Sequence, residues 1–213
     1  MNLKKRIELT RIGNILIYFA KNTKNLGVTK ANKLIYYLDC YHLLEYGRTI
    51  TRDKYYKLPE GPVPSDTYRR LTSIREIEQP EEGLSKDITQ NFHEFLAEYI
   101  KISVDKISKD VTIYRIISKQ KFQPKWFSKS ELKILHKIAT NFNDATAKQL
   151  SEMTHRELPY ISAEDSEILD LKLFLKDKGL PQEKINEVID IENTIKSMEL
   201  NYHCDPDGIL QLT

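Results

Sequence analysis

Glycine is scarce, with seven in 213 residues, and neither a Walker phosphate loop nor a dinucleotide fingerprint occurs, which excludes two common nucleotide-binding solutions. Cysteine is scarcer still. Cys40 and Cys204 make no disulfide framework, and a reducing, cytoplasmic setting fits best. The five histidines (42, 93, 136, 155 and 203) form no His-x-x-x-His pair, and no Cys-x-x-Cys is present. Charge of one sign is lacking too. The 33 basic and 31 acidic residues leave +2, so nothing drives the whole chain towards nucleic acid or an anionic membrane. No apolar run approaches the roughly 20 residues of a membrane-spanning helix. The start, Met1-Asn2-Leu3-Lys4-Lys5-Arg6, leads into an amphipathic pattern and not a signal-peptide core. The expectation is a soluble protein with no membrane partner, long enough to bury a core as one domain with an appendage.

What is present is a dense stretch from Thr29 to Leu71. Thr29 can cap a helix through Leu34, Ile35, Tyr36, Tyr37, Leu38, Tyr41 and Leu43, which Gly47 stops. Apolar groups cover most of its circumference, so it reads as a central helix enclosed by neighbours. Thr49 to Leu58, rich in Tyr, Thr and Ile, predicts a short strand, and Pro59 to Pro64 a turn fixed by three prolines and Gly61. Ser65 or Asp66 caps the next helix, with Tyr68, Leu71 and Ile74.

Upstream, Ile12, Ile15, Leu16 and Phe19 mark one face of a first helix over residues 7–21. Downstream, the acidic stretch from Ile74 to Lys86 predicts a surface loop, and Asp87 the start of a helix through Phe95 and Tyr99. Alternation in Ile100-Ile102-Val104 and Val111-Ile113-Arg115-Ile117 predicts a hairpin. Ser128 and Glu131 form a capping box, with Trp126-Phe127 as a staple, ahead of a helix burying Leu132, Leu135, Ala139 and Phe142. A short helix follows from Asp144 or Thr146, with Leu150 and Met153. Pro159 argues against a helix-turn-helix there. Two helical segments, 164–178 and 182–200, flank Gly179-Leu180-Pro181 and predict a C-terminal helical hairpin whose Val188, Ile191, Ile195 and Met198 form a short apolar seam. The fold class is mainly α (α+β): a helical domain around a buried central helix, with a small β-hairpin or sheet, spanning 1–160, and a helical hairpin over 161–213.

Candidate chemistry is thin. Cys40 and His42 with His203 and Cys204 hold ligand types for a metal, but residues two apart on a helix point about 200° from each other, so no metal site is expected. His155 with Glu157 and Asp165 could serve acid–base work, or His155 could be an ordinary cap. In the basic run from Lys119 to Lys133, Lys119, Lys121 and Lys125 alternate with Phe122, Trp126 and Phe127. Single-stranded nucleic acid binders need that interleaving, whereas the capping-box reading leaves the same lysines as solvated surface.

Three runs carry a family resemblance: T-K-A-N-K-L-I-Y-Y-L-D from Thr29, G-R-x-I-T-x-D-x-Y from Gly47, and G-P-V-P-S-D-x-Y-R-R-L from Gly61. Together with Phe127-Ser128, Glu131-Leu132, Ala145-Thr146-Ala147, Leu150-Ser151 and His155, they make residues 13–160 similar to the Panacea, or SocA-like, antitoxin domain of bacterial and phage toxin–antitoxin systems. The chain departs from that pattern at Glu60, where such domains often carry an aromatic residue, and at Tyr160, where they often carry Trp. The resemblance implies a non-enzymatic protein, without cofactor, that neutralises a cognate toxin encoded nearby by direct contact. A proteolytic adaptor for the toxin or a nucleic-acid-binding regulator are the alternatives. Candidate toxin-binding residues are Tyr55, Tyr56, Glu60, Pro62 and Pro64 around the proline turn, with Lys33, Tyr37 and Asp53 beside it, since tyrosine and proline give contact area at little entropy cost. The outer face of the C-terminal hairpin is a second candidate. Part of the shared motif, such as Gly47, Leu34 and Leu38, reads equally as fold maintenance.

Overall fold

A computed structural model describes residues 2–78, 95–106, 112–204 and 210–212. Helix α1 (Leu3–Asn22) is capped by the Asn2 side chain, which accepts from the Lys5 amide at 2.9 Å, and stops where the Thr23 amide and hydroxyl both donate to the Phe19 carbonyl. Helix α2 (Val28–Tyr46) is the expected central helix. It starts one residue before Thr29, after Gly27 and without a side-chain cap, and ends at Gly47, whose φ of 71° lies in the left-handed region. Leu34, Ile35, Tyr36, Tyr37 and Leu38 are all at most 1% exposed, so consecutive positions are buried right round the helix. Each such side chain contributes about 1.5–3 kcal/mol on leaving water. This cluster therefore dominates the core.

The proline-rich turn proves to be half of a hairpin. Strand β1 (Tyr55–Leu58) pairs antiparallel with β2 (Gly61–Pro64), Tyr55 opposite Pro64 and Leu58 opposite Gly61, around Pro59-Glu60. Residues 49–53, expected as strand, instead form the loop before β1, because the Asp39 carboxylate draws the Ile50 and Thr51 amides onto itself. The free edge of β1 is taken by residues 166–169: the Ser166 amide donates to the Lys57 carbonyl, the Lys57 amide to Glu167 and the Leu169 amide to Tyr55. This pairing corrects the helix expected from 164 to 178. Tertiary hydrogen bonds override helix propensity up to Leu171, and only Lys172–Asp177 is helical.

Helix α3 (Ser65–Glu78) runs four residues into the stretch expected as loop. Charged residues are adequate helix formers even where apolar periodicity lapses. The rest of that expected loop, and most of the helix expected from Asp87, lie outside the described residues. Strands β3 (Ile100–Lys106) and β4 (Thr112–Ser118) form the second hairpin, with Ile102 opposite Ile116 and both buried. The Ile116 amide reaches across to the Leu26 carbonyl.

Helix α4 (Lys129–Asn141) carries the expected Ser128–Glu131 capping box and buries Ile134, Leu135, Ile138 and Ala139, whereas Leu132 is only half-buried. A second box, Thr146–Gln149, starts α5 (Ala147–Thr154), which buries Leu150 but leaves Met153 44% exposed. The four-residue α6 (Leu158–Ile161) holds Pro159 in its first turn, too short for a recognition helix. Helix α7 (Lys172–Asp177) inserts Phe174 into the core formed by α2, and α8 (Gln182–Asn201) lays Ile185 and Val188 against Leu43 and Leu175. The distal part of its seam is open, with Ile191 45% and Met198 56% exposed. Strands β5 (Tyr202–Cys204) and β6 (Leu210–Leu212), with no counterpart in the sequence reading, pair antiparallel. The fold is mainly α with small antiparallel sheets.

Candidate functional site

The β1–β2 hairpin has an inner side turned to α2 and α5 and an outer side turned to α1 and α3. On the inner side, α2 and the loop after it are tied together by Asp39. Its carboxylate accepts from the Ile50 amide (2.6 Å), the Thr51 amide (2.9 Å), the Thr51 hydroxyl and the Tyr55 hydroxyl (2.6 Å). Burial raises its pKa and these donors oppose the rise. Lys33, fully buried, donates to the Pro62 carbonyl at 2.9 Å; burial lowers its pKa to about 7, against the pull of Glu60. Gly61 has a φ of 101°, and a Cβ there would lie 2.8 Å from Thr154 Oγ1 and 2.9 Å from Lys33 Nζ. Only glycine fits without displacement. The turn is fastened from α5 and α6 as well: Ser151 donates to the Glu60 carbonyl at 2.7 Å and Tyr160 to the Leu58 carbonyl at 2.9 Å.

Asp53 holds the hairpin to α3, accepting from the Asp66 amide at 3.0 Å and the Thr67 amide at 2.9 Å. It is the cap that local sequence had assigned to Ser65 or Asp66. Of the eight residues singled out for toxin contact, Lys33, Tyr37, Tyr55, Pro62 and Pro64 are thus buried, Asp53 and Tyr56 are half-buried, and Glu60 is exposed. Lys33, Tyr55, Pro62 and Pro64 fix the shape of the hairpin, whereas Tyr37 stacks on Phe142 within the core. Tyr56 faces the outer cleft, and Glu60 is exposed at the tip of the turn.

The acid–base constellation does not assemble. His155 stacks on Tyr160 with centroids 4.4 Å apart, and Asp165 is 97% exposed beside Lys57. Glu157 turns inward, accepting from the Tyr36 hydroxyl at 3.0 Å with Lys178 Nζ 3.6 Å away, and burial pushes it up to about 7. Cys40 is buried close by and its thiol is raised well above its ordinary value, the state of an inert structural cysteine. His42 contacts the Arg48 carbonyl at 2.7 Å, and the side chains of His203 and Cys204 lie outside the described residues. Among the described residues no group of three or more His, Cys, Asp or Glu could hold a metal ion. Nor is any of their helices long and apolar enough to cross a membrane.

The aromatic residues of the basic stretch are already engaged. Phe122 stacks against Phe127 and packs edge-on to Tyr18, Arg11 lies over Phe127, and Trp126 carries Lys125 on its ring. Lys119 donates to the Ala97 carbonyl, while Lys121 is exposed. Beneath them Glu131 joins Arg11 (2.9 Å), Arg48 (3.1 Å) and the Ser128 amide. Burial raises its pKa, but the two guanidinium groups and the amide outweigh that and hold it at about 2.

On the outer side a cleft of about 600 Å³ opens between the start of α1, residues 51–54, Tyr56 and the first turn of α3. Its lining includes Lys5, Arg52, Lys54, Arg69 and Arg70 against Glu8, Asp53 and Asp66. Sequence reading missed it. Arg69-Arg70 stood in the family-like run, but only the fold brings Lys5, at the other end of the unit, to 3.4 Å from Asp66.

Compared with known proteins, residues 32–160 match the family model described as "Antitoxin SocA-like, Panacea domain". No curated protein and no solved structure matches the chain.

Proposed function

The chain belongs to the SocA-like Panacea antitoxin family, and from that premise we propose that it binds a cognate protein toxin directly and silences it by covering its working surface. The family match carries the reading. What supports direct contact is the preset shape of the hairpin: exposed Glu60 sits on a turn fastened by Lys33, Ser151 and Tyr160, and Tyr56 on the adjoining strand β1, so little ordering entropy is lost when a partner docks. Inhibition of this kind requires no reaction by the inhibitor. An interface of standard size over the toxin's active site suffices. The departures from the family pattern at Glu60 and Tyr160 fall at this turn, where a change of partner would be written.

The test is co-expression with each neighbouring reading frame, scoring growth, co-purification and the amount of toxin. Growth rescue with a stable complex and undiminished toxin is expected. Rescue accompanied by disappearance of the toxin would replace occlusion with delivery to a protease. No toxic neighbour and no co-purifying protein would remove the antitoxin reading. The nucleic-acid reading gains nothing from Phe122 and Phe127, whose rings are already stacked against the protein itself.

A further inference from the structure

The whole chain carries a formal charge of +2, and among the described residues the lining of the outer cleft holds five cations against three acids. All three acids are occupied. Asp53 receives the α3 amides, Glu8 pairs with Lys5 at 3.2 Å, and Asp66 is shared by Lys5, Arg69 and Arg70. Lys54 is exposed and forms no ion pair among the described residues. The N-terminus of the 14-residue α3 lies at the same place, with its Asp66 and Thr67 amides already capped by Asp53. The hydroxyl of Thr67, a fully buried residue of the lining, has no hydrogen-bond partner among the described residues. Asp66 itself indicates what a carboxylate receives here: two guanidinium hydrogen bonds of 2.9 Å from adjacent arginines. A volume near 600 Å³ accommodates several side chains, and Tyr56 supplies an aromatic wall.

We propose that this cleft is the docking site for an acidic segment of the toxin, whose Asp or Glu side chains enter between Lys54, Arg69 and the first turn of α3. The inference rests on the antitoxin reading and names the chemistry of its partner. An acidic segment meets cations already collected by the fold, so charge complementarity speeds encounter and disfavours basic competitors.

The test measures the Kd for the toxin whose growth arrest this chain relieves. It compares wild type, Lys54→Glu/Arg69→Glu, and the control Lys129→Glu/Lys148→Glu, which makes the same change of net charge at exposed positions outside the cleft lining. Ten- to hundredfold weaker binding is expected for the cleft variant and less than twofold for the control. Lys54→Gln/Arg69→Gln, expected to lose about tenfold, takes its place if the reversal impairs folding. Decaglutamate peptide is expected to compete with the toxin for wild type and not for the cleft variant. Equal losses in cleft and control variants, or no loss in either, overturn the inference while leaving the antitoxin reading intact. Decaglutamate without effect on wild type overturns it as well. A wild-type chain that rescues growth from no toxin fails at the earlier step and removes both readings.

Discussion

The two sides of one hairpin differ in how their polar groups are used. The inner side holds most of the family-like residues, and nearly every polar group there is committed: Asp39 to four donors, Lys33 to a carbonyl, Ser151 and Tyr160 to the turn. The outer side holds charged residues in a cleft, with cations in excess of acids among the described residues of its lining.

Substitutions can break this contrast. Asp39→Ala has the largest expected effect, since it leaves the Ile50 and Thr51 amides without their acceptor and the Tyr55 hydroxyl with only the longer bond to the Ile35 carbonyl; a loss of roughly 3–5 kcal/mol should appear in the denaturation midpoint. Glu131→Gln follows, at about 2–4 kcal/mol near neutral pH, because it strips one carboxylate from two arginines. The folded pKa of Glu131 lies below its ordinary value, so its contribution is present above pH 4.5 and lost as pH falls towards 2. Acid unfolding of the variant should lack that component.

Gly61→Ala is expected to cost about 1–3 kcal/mol through the strained φ and the contact with Thr154 and Lys33. Glu157→Gln sharpens the contrast from the other direction. Its folded pKa is raised, so its own contribution to stability is greatest below pH 4.5, declines as pH rises to about 7 and then levels off. The variant should match wild type in acid and exceed it by roughly 1–3 kcal/mol at pH 8, by thermal or urea unfolding. Smallest on stability is the cleft pair, Lys54→Glu/Arg69→Glu, expected to change it by less than about 0.5 kcal/mol. Its effect belongs to binding.

The central helix was legible because its apolar residues wrap the whole circumference and Gly47 marks its end. The capping box at Ser128 and the β3–β4 alternation were legible for the same local reasons. What escaped was decided at a distance. Nothing local in residues 49–53 reveals that Asp39 will claim their amides, and nothing in 164–171 reveals an open strand edge waiting at β1. Burial of Lys33 was hidden too, since a lysine between apolar neighbours reads as a surface cation until the Pro62 carbonyl arrives beside it. The cleft, assembled from three separated segments, left no periodic or compositional trace.

The most direct test of the contrast between the two sides is toxin affinity measured beside melting temperature for Lys54→Glu/Tyr56→Ala, two changes confined to the lining of the outer cleft. The account predicts a melting temperature lowered by no more than about 5 °C, with growth rescue lost and toxin binding weakened at least tenfold. Undiminished rescue and affinity in that variant, with binding abolished instead by Ile191→Asp/Met198→Asp on the open seam of α8, would contradict it.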